Sequence, residues 1–335
     1  MTRHRMAEGE PMSRWFAMVA PFSLTACATL PANVPLPVDQ IRIVRSALKE
    51  HGSALWPGWS EDPASVLVVG ARRETLFCAP PRTGFSNAGR DPVTGCTTQS
   101  RPARLPADIE APVELDGVPV AAMGLPSATG REPADWALVL AHEQFHVWQD
   151  GAPGYRAAVE GVAVQLAPPG AQSANWMLDH PFPYAEAARH FVPMSEAALR
   201  FLDAPTDTTR RAAVRDYLVA REEAAQMIGP RDWLYYEFQV GQEGVGRWTE
   251  LALAENLAAD DPSFAYQASE RRGGLATSLR AIERDGLGMW KRSAFYAFGA
   301  VEAEMLDTLD PGWRADYSAR PFALGEMLAE RLHAP

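Results

Sequence analysis

A chain of 335 residues with 47% apolar and 22% charged side chains has an ordinary globular balance and can bury a sizeable core in one or two domains. Its net charge is -11 with no Lys/Arg-rich run beyond the first residues, which excludes the clustered positive charge that nucleic acid demands. No internal repeat is present, and no apolar stretch is long enough for an ordinary transmembrane helix.

The N-terminus reads as a secretory leader. Arg14 precedes an apolar run from Trp15 to Ala26, and small residues close it before Cys27. Leu24-Thr25-Ala26-Cys27 resembles the bacterial lipobox. That resemblance implies a signal peptide over residues 1–27, with Cys27 lipidated as the mature N-terminus. It also implies a chain anchored by lipid in the bacterial cell envelope, facing the periplasm from the inner or the outer membrane. Glu8 and Glu10 do not suit the positive end of a signal, so Met12 competes with Met1 as the start. The plainer alternative is a buried helix with a chance cysteine. Residues 28–40 are Pro-rich and serve as a spacer. Cys78 and Cys96 are the only other cysteines, and in an oxidising compartment they are expected to pair. Two buried thiols are the alternative.

Ile41, Val44, Ala47 and Leu48 fall at helical spacing, ended by His51-Gly52. Val66–Val69 and Thr75–Phe77 read as strands. The Gly/Pro/Asn-rich stretch from Pro80 to Pro106 reads as a loop. Asp116-Gly117 between Val113–Leu115 and Val118–Val120 predicts a hairpin, and Pro119 points to a sheet edge. From Pro133 the character is helical, with segments expected near 133–150, 155–167, 184–203, 208–228, 232–258, 263–284, 289–309 and 322–333. The predicted fold class is α+β: a small sheet-containing part over 41–132 feeding a mostly helical part over 133–335.

The first of these helices carries the chemistry. Pro133 suits its first turn and Asp150-Gly151 its end. Trp136, Leu138, Val139, Leu140, Phe145, Val147 and Trp148 surround it with apolar groups, so it is a buried helix. Within it stand His142-Glu143-Gln144-Phe145-His146. Histidines four residues apart share a face and can hold one zinc ion. Glu143 lies beside them, placed to take a proton from a zinc-activated water. Two core histidines satisfied by hydrogen bonds are the bland alternative.

A catalytic zinc site needs a third protein ligand. The leading candidate is Glu243, in Gln242-Glu243-Gly244-Val245-Gly246-Arg247-Trp248-Thr249-Glu250. Gly244 and Gly246 each cost a helix about 1 kcal/mol against alanine, which makes sense if that helix lies close against the zinc helix. The rival is Glu160, in Val159-Glu160-Gly161-Val162-Ala163 on the next helix, with Glu196 and Glu237 behind it. The combination of HExxH and a later Glu-Gly motif resembles the gluzincin metallopeptidases, and His146-Val147-Trp148 is similar to the HxW ending of gluzincin aminopeptidases. The resemblance implies a zincin-like catalytic part, with His142, His146 and Glu243 as zinc ligands and Glu143 as general base. Almost a hundred residues separate the two motifs here, unlike the short spacing of those aminopeptidases, so no aminopeptidase specificity carries over.

Other residues have two readings. Arg221, Glu222, Glu223 and Glu237 fit helix-surface ion pairs better than a site. His180 and His190 flank Phe182-Pro183-Tyr184, which lines a cleft or faces solvent. Tyr296 is an oxyanion donor or part of an apolar stripe. Asp150 orients His146 or simply ends the helix. The functional expectation is a zinc-dependent hydrolase of peptide or protein substrates. Its rival is a non-catalytic lipoprotein that binds a partner, with zinc structural or absent.

Overall fold

The structure, a computed structural model, describes residues 35–59, 64–166 and 180–333. The leader, Cys27 and most of the spacer lie outside the described residues. The elements run α1 (Val38–Leu55), β1 (Val66–Val69), β2 (Arg73–Phe77), β3 (Ser86–Arg90), β4 (Thr97–Pro102), β5 (Glu110–Leu115), β6 (Val118–Gly124), α2 (Pro126–Thr129), α3 (Pro133–Gly151) and α4 (Tyr155–Leu166). They continue with α5 (Tyr184–Asp203), α6 (Asp207–Ile228), α7 (Pro230–Gln239), a π turn (Val240–Gly244), α8 (Val245–Asp260), α9 (Ala265–Asp285), α10 (Ser293–Leu309), α11 (Trp313–Tyr317) and α12 (Leu324–Leu332). The fold is α+β, a six-stranded sheet followed by helices, as the sequence predicts. Among the described residues no helix is long and apolar enough to cross a membrane.

The strand order is β3-β4-β2-β1-β6-β5, with β1 parallel to β6 and the other pairs antiparallel. Every residue of β1 is buried, because both sheet faces are covered at that position. Alternation divides the apolar residues between two cores. Val66, Val68, Phe77, Ala121 and Met123 face the main core with α1, α3 and the helical part. Leu67, Val69, Leu76, Val120 and Ala122 form a smaller one under Phe85, Leu105 and Ile109.

Two local expectations are corrected. The stretch from Pro80 to Pro106 is not a loop throughout: it holds β3 and β4. Their sequences, SNAGR and TTQSRP, lack apolar alternation because β3 is an exposed edge. The partners of β4 are polar too, with Arg101 Nε donating to buried Glu74 at 2.5 Å across the β2–β4 register. Pro119 is not in an edge strand but in β6; it lies before the residues that pair with β1, so its missing N–H interrupts no ladder there. The edge is β5. Cys78 and Cys96 form a disulfide spanning 18 residues. Closing a loop of that size contributes about 3 kcal/mol by constraining the unfolded chain.

Helix α3 packs on β5 and β6 on one side and on α1 and α8 on the other, so it joins the sheet to the helical part. Trp136 Nε1 donates to the Gly124 carbonyl at 2.7 Å, fixing its first turn to the end of β6. The single helix expected over 232–258 is divided into α7 and α8 by the π turn.

Candidate metal centre

His142, Glu143 and His146 are 9%, 7% and 9% exposed, so helix α3 carries three titratable side chains within its buried stretch. The two imidazoles turn their Nε2 atoms toward each other at 2.9 Å. Glu243 comes to meet them from the π turn, its Oε2 3.7 Å from His142 Nε2 and 3.5 Å from His146 Nε2. These side lengths define a triangle with a circumscribed radius of about 2.0 Å, the length of zinc–nitrogen and zinc–oxygen bonds. The three residues form a group that can hold a metal ion.

The π turn explains how Glu243 reaches the histidines. A π turn inserts a residue relative to an α-helix and leaves carbonyls without their usual partners. Here side chains satisfy them. Tyr317 OH donates to the Gly241 carbonyl at 2.6 Å, and Gln149 Nε2 donates to the Gln242 carbonyl at 3.1 Å and to Tyr317 OH at 2.6 Å. Gln149 also places its Oε1 2.6 Å from His146 Nδ1. One amide therefore fixes both the His146 imidazole and the backbone that presents Glu243. Of the two readings of Asp150, orienting His146 is not found: near the end of α3 its carboxylate accepts from Arg156. One position along a helix is a rotation of about 100°, and that rotation puts Asp150 on the outer side.

The other nitrogen of His142 faces a carboxylate without a well-formed hydrogen bond. Its Nδ1 lies 3.4 Å from Glu250 Oε2, and Glu250, itself 3% exposed, accepts from Arg271 at 2.6 Å and Arg247 at 2.8 Å. Arg271 continues to Asp135 at 2.7 Å, and Arg131 joins Asp135 to Glu110 on β5. Glu250 closes the Glu-Gly motif without a role that its sequence position alone assigns. One signal does point to it: it follows Glu243 by two helical turns and so falls on the same side of the run.

The electrostatics suit a cation. Burial alone would depress His142, but the carboxylates of Glu243, Glu250 and Glu143 outweigh it and raise its pKa to about 10. Burial would raise Glu243, but the two imidazoles hold it well below the usual carboxylate range. A group that grips a proton this firmly carries surplus negative potential, which a dication would satisfy while displacing that proton. Glu143 is raised, first by burial, against the pull of His146 and His142. A carboxyl raised toward neutrality is suited to exchanging protons.

Gly246 and Gly244 both permit close approach, but to different partners. A Cβ on Gly246 would lie 3.0 Å from His142 Cε1 and 3.4 Å from His146 Cε1, so this glycine lets α8 rest on the imidazoles. A Cβ on Gly244 would lie 2.4 Å from Gly299 Cα on α10 instead. Gly246→Ala is therefore expected to displace the imidazoles and weaken metal affinity about tenfold, the lower range for a perturbed support residue. Competition titration against a chromogenic chelator measures it, and an unchanged affinity would show that the imidazoles do not depend on this contact.

The remaining candidates fall into distinct places. Glu160 is exposed and stands outside the metal group, because Tyr155, Val162 and Leu166 give α4 its buried face and leave Glu160 on the other. Glu196 is exposed on α5. Glu237 is committed to Arg221 at 2.5 Å and Trp233 at 2.9 Å. Arg221 and Glu237 are not surface ion pairs; they belong to a buried network in which Glu302 accepts from Arg221, Tyr217 and Tyr236. Glu222 and Glu223 are exposed. His180 is buried, 2.8 Å from Asp232 and stacked on Tyr235, while His190 neighbours Arg189. Tyr296 belongs to the site's surroundings: its hydroxyl accepts from Arg292, whose Nη1 is 3.9 Å from Glu243 Oε1. Compared with known proteins, the chain matches no family model, no curated protein and no solved structure.

Proposed function

We propose that the chain is a zinc-dependent hydrolase of peptide bonds, similar in its site to the gluzincin metallopeptidases. One observation carries this reading: the buried group of His142, His146 and Glu243 with Glu143 on the same helix as the histidines. Zinc is favoured because two imidazoles and one carboxylate at this spacing suit its tetrahedral preference. Among the described residues the group has three protein donors, which leaves a coordination position for water, whereas a structural zinc site closes with four. That count favours an enzyme over a non-catalytic, partner-binding lipoprotein.

Bound there, zinc would polarise a carbonyl and acidify water. The residues of the chain supply the rest. Glu143 takes the proton of the attacking water and returns it to the leaving amine. Gln149 and Glu250 keep the imidazoles oriented so that the lone pairs of their Nε2 atoms point inward. Tyr296 stands next to Glu243 and supplies a hydroxyl for an oxygen that gains charge. The substrate class is favoured by β5, an edge strand packed on α3, which is the position where an extended peptide adds to a sheet.

Turnover of a mixed library of internally quenched peptides tests the proposal. The purified protein is expected to cleave members of it, to lose activity with a zinc chelator and to regain it with one equivalent of zinc. A zinc-loaded chain that cleaves none of them would contradict the reading. Envelope location is proposed on the lipobox-like segment, and Cys27→Ser checks it by fractionation. The wild type is expected in membranes through its several acyl chains and the variant in the soluble periplasmic fraction. A fully soluble wild type would overturn the anchor.

A further inference from the structure

The buried arginines of the helical part, Arg221 and Arg271, are matched to carboxylates at hydrogen-bond distance. Arg221 meets Glu237 at 2.5 Å and Glu302 at 3.1 Å, and Arg271 meets Glu250 at 2.6 Å and Asp135 at 2.7 Å. Arg292 is not. Among the described residues its nearest carboxylate oxygen is Glu243 Oε1 at 3.9 Å, beyond a hydrogen bond, and its other bonded partner is the Tyr296 hydroxyl. A guanidinium has five donors in a planar fork, so most of this one's capacity is unspent. The side chain is 22% exposed, so part of it meets solvent. Tyr296, Glu243, Tyr235 and Tyr184 all stand close enough to act on its charge, so three phenols and a single carboxylate surround the fork.

The backbone holds Arg292 in this place. Lys291 has φ 49°, a left-handed conformation that a lysine adopts only under constraint, and its N–H closes a turn on the Leu287 carbonyl at 2.6 Å. Arg292 follows directly as the residue before α10. The charges at the centre also leave it unmatched. A dication would be offset by Glu243 and Glu143, while Glu250 is already neutralised by Arg247 and Arg271. Arg292, partly exposed to solvent, then adds a positive charge beside a centre that is otherwise balanced. Such an arrangement attracts an anion, and a planar fork selects a carboxylate.

We propose that Arg292 binds a substrate carboxylate lying within about one residue of the scissile bond, making the enzyme selective for peptides that carry a negative charge there. The proposal rests on the peptidase reading. Two sources have this chemistry: the α-carboxylate of a peptide C-terminus and the side chain of Asp or Glu.

Calorimetry on the zinc-loaded Glu143→Gln protein separates binding from turnover. The probes are N-acylated Gly-Phe and its C-terminal amide for the first source, and N-acylated Gly-Glu-amide and Gly-Gln-amide for the second. One charged probe is expected to bind about tenfold or more tightly than its neutral mate, and Arg292→Gln is expected to remove that difference by weakening the charged probe alone. The pair showing the difference identifies the source. Arg292→Lys, which keeps the charge without the fork, should retain part of it. In the active chain Arg292→Gln should raise KM for the charged substrate far more than for its neutral mate. Equal binding within both pairs overturns the proposal, as does equal weakening of charged and neutral probes or a loss confined to kcat. Zinc content and circular dichroism of each variant exclude misfolding as the cause. Absence of all turnover by the zinc-loaded wild type would sink the peptidase reading instead, and the calorimetric comparison would still report on Arg292.

Discussion

Glu143→Gln is expected to retain zinc and to lose hydrolysis by about two orders of magnitude or more, the usual contribution of a positioned general base. The amide is nearly isosteric, so the packing of α3 is preserved. It also cannot accept the water's proton. Glu143 is 7% exposed and its carboxyl is raised by burial, a placement that a proton-transfer role explains and a solvated helix face does not. Because Glu143 is not among the three residues grouped for the metal, zinc affinity should change little. Steady-state kinetics with zinc content measured on the same sample checks both parts. Unchanged turnover would show that another group activates water, and lost zinc would show that Glu143 is a ligand.

Glu243→Ala is expected to cost more than about a hundredfold in zinc affinity, beyond the range typical of residues that only support a ligand. Removing the carboxylate leaves two imidazoles, half a tetrahedral site. The helical fold should persist, because Gly244 still rests on Gly299 and Gly241 still faces the Pro321 carbonyl. Glu160→Ala is the matched control, since that carboxylate is exposed on α4. Equilibrium dialysis of both variants makes the comparison. Zinc loss from Glu160→Ala with retention by Glu243→Ala would put Glu160 in the third ligand position and remove Glu243 from it.

The helix that carries His142, Glu143 and His146 is legible in the sequence because its determinants are local. The spacing of His142 and His146 fixes a shared face whatever the rest of the chain does, and the apolar residues around them fix burial. Glu243 is legible through a short motif with glycines, and Gly246 does lie against the imidazoles. The π turn that presents Glu243 is not, since nothing in Val240–Gly244 distinguishes it from α-helix. Nor are Gln149 and Arg292, whose roles depend on which tertiary neighbours their side chains meet. The Arg221–Glu237–Glu302 network is hidden for the same reason: charged residues on helices read as solvated until packing buries them. Strands β3 and β4 are hidden because a polar edge strand has no apolar alternation to detect.

The proposed chemistry depends above all on His142, His146 and Glu243 together holding one zinc ion whose remaining position is open to water. Anomalous diffraction from crystals of the zinc-loaded protein, collected on either side of the zinc absorption edge, tests it directly. A single strong peak is expected within bonding distance, about 2.0–2.2 Å, of both Nε2 atoms and a Glu243 oxygen, with no fourth protein donor. A peak elsewhere, or one completed by a fourth protein side chain, would contradict it.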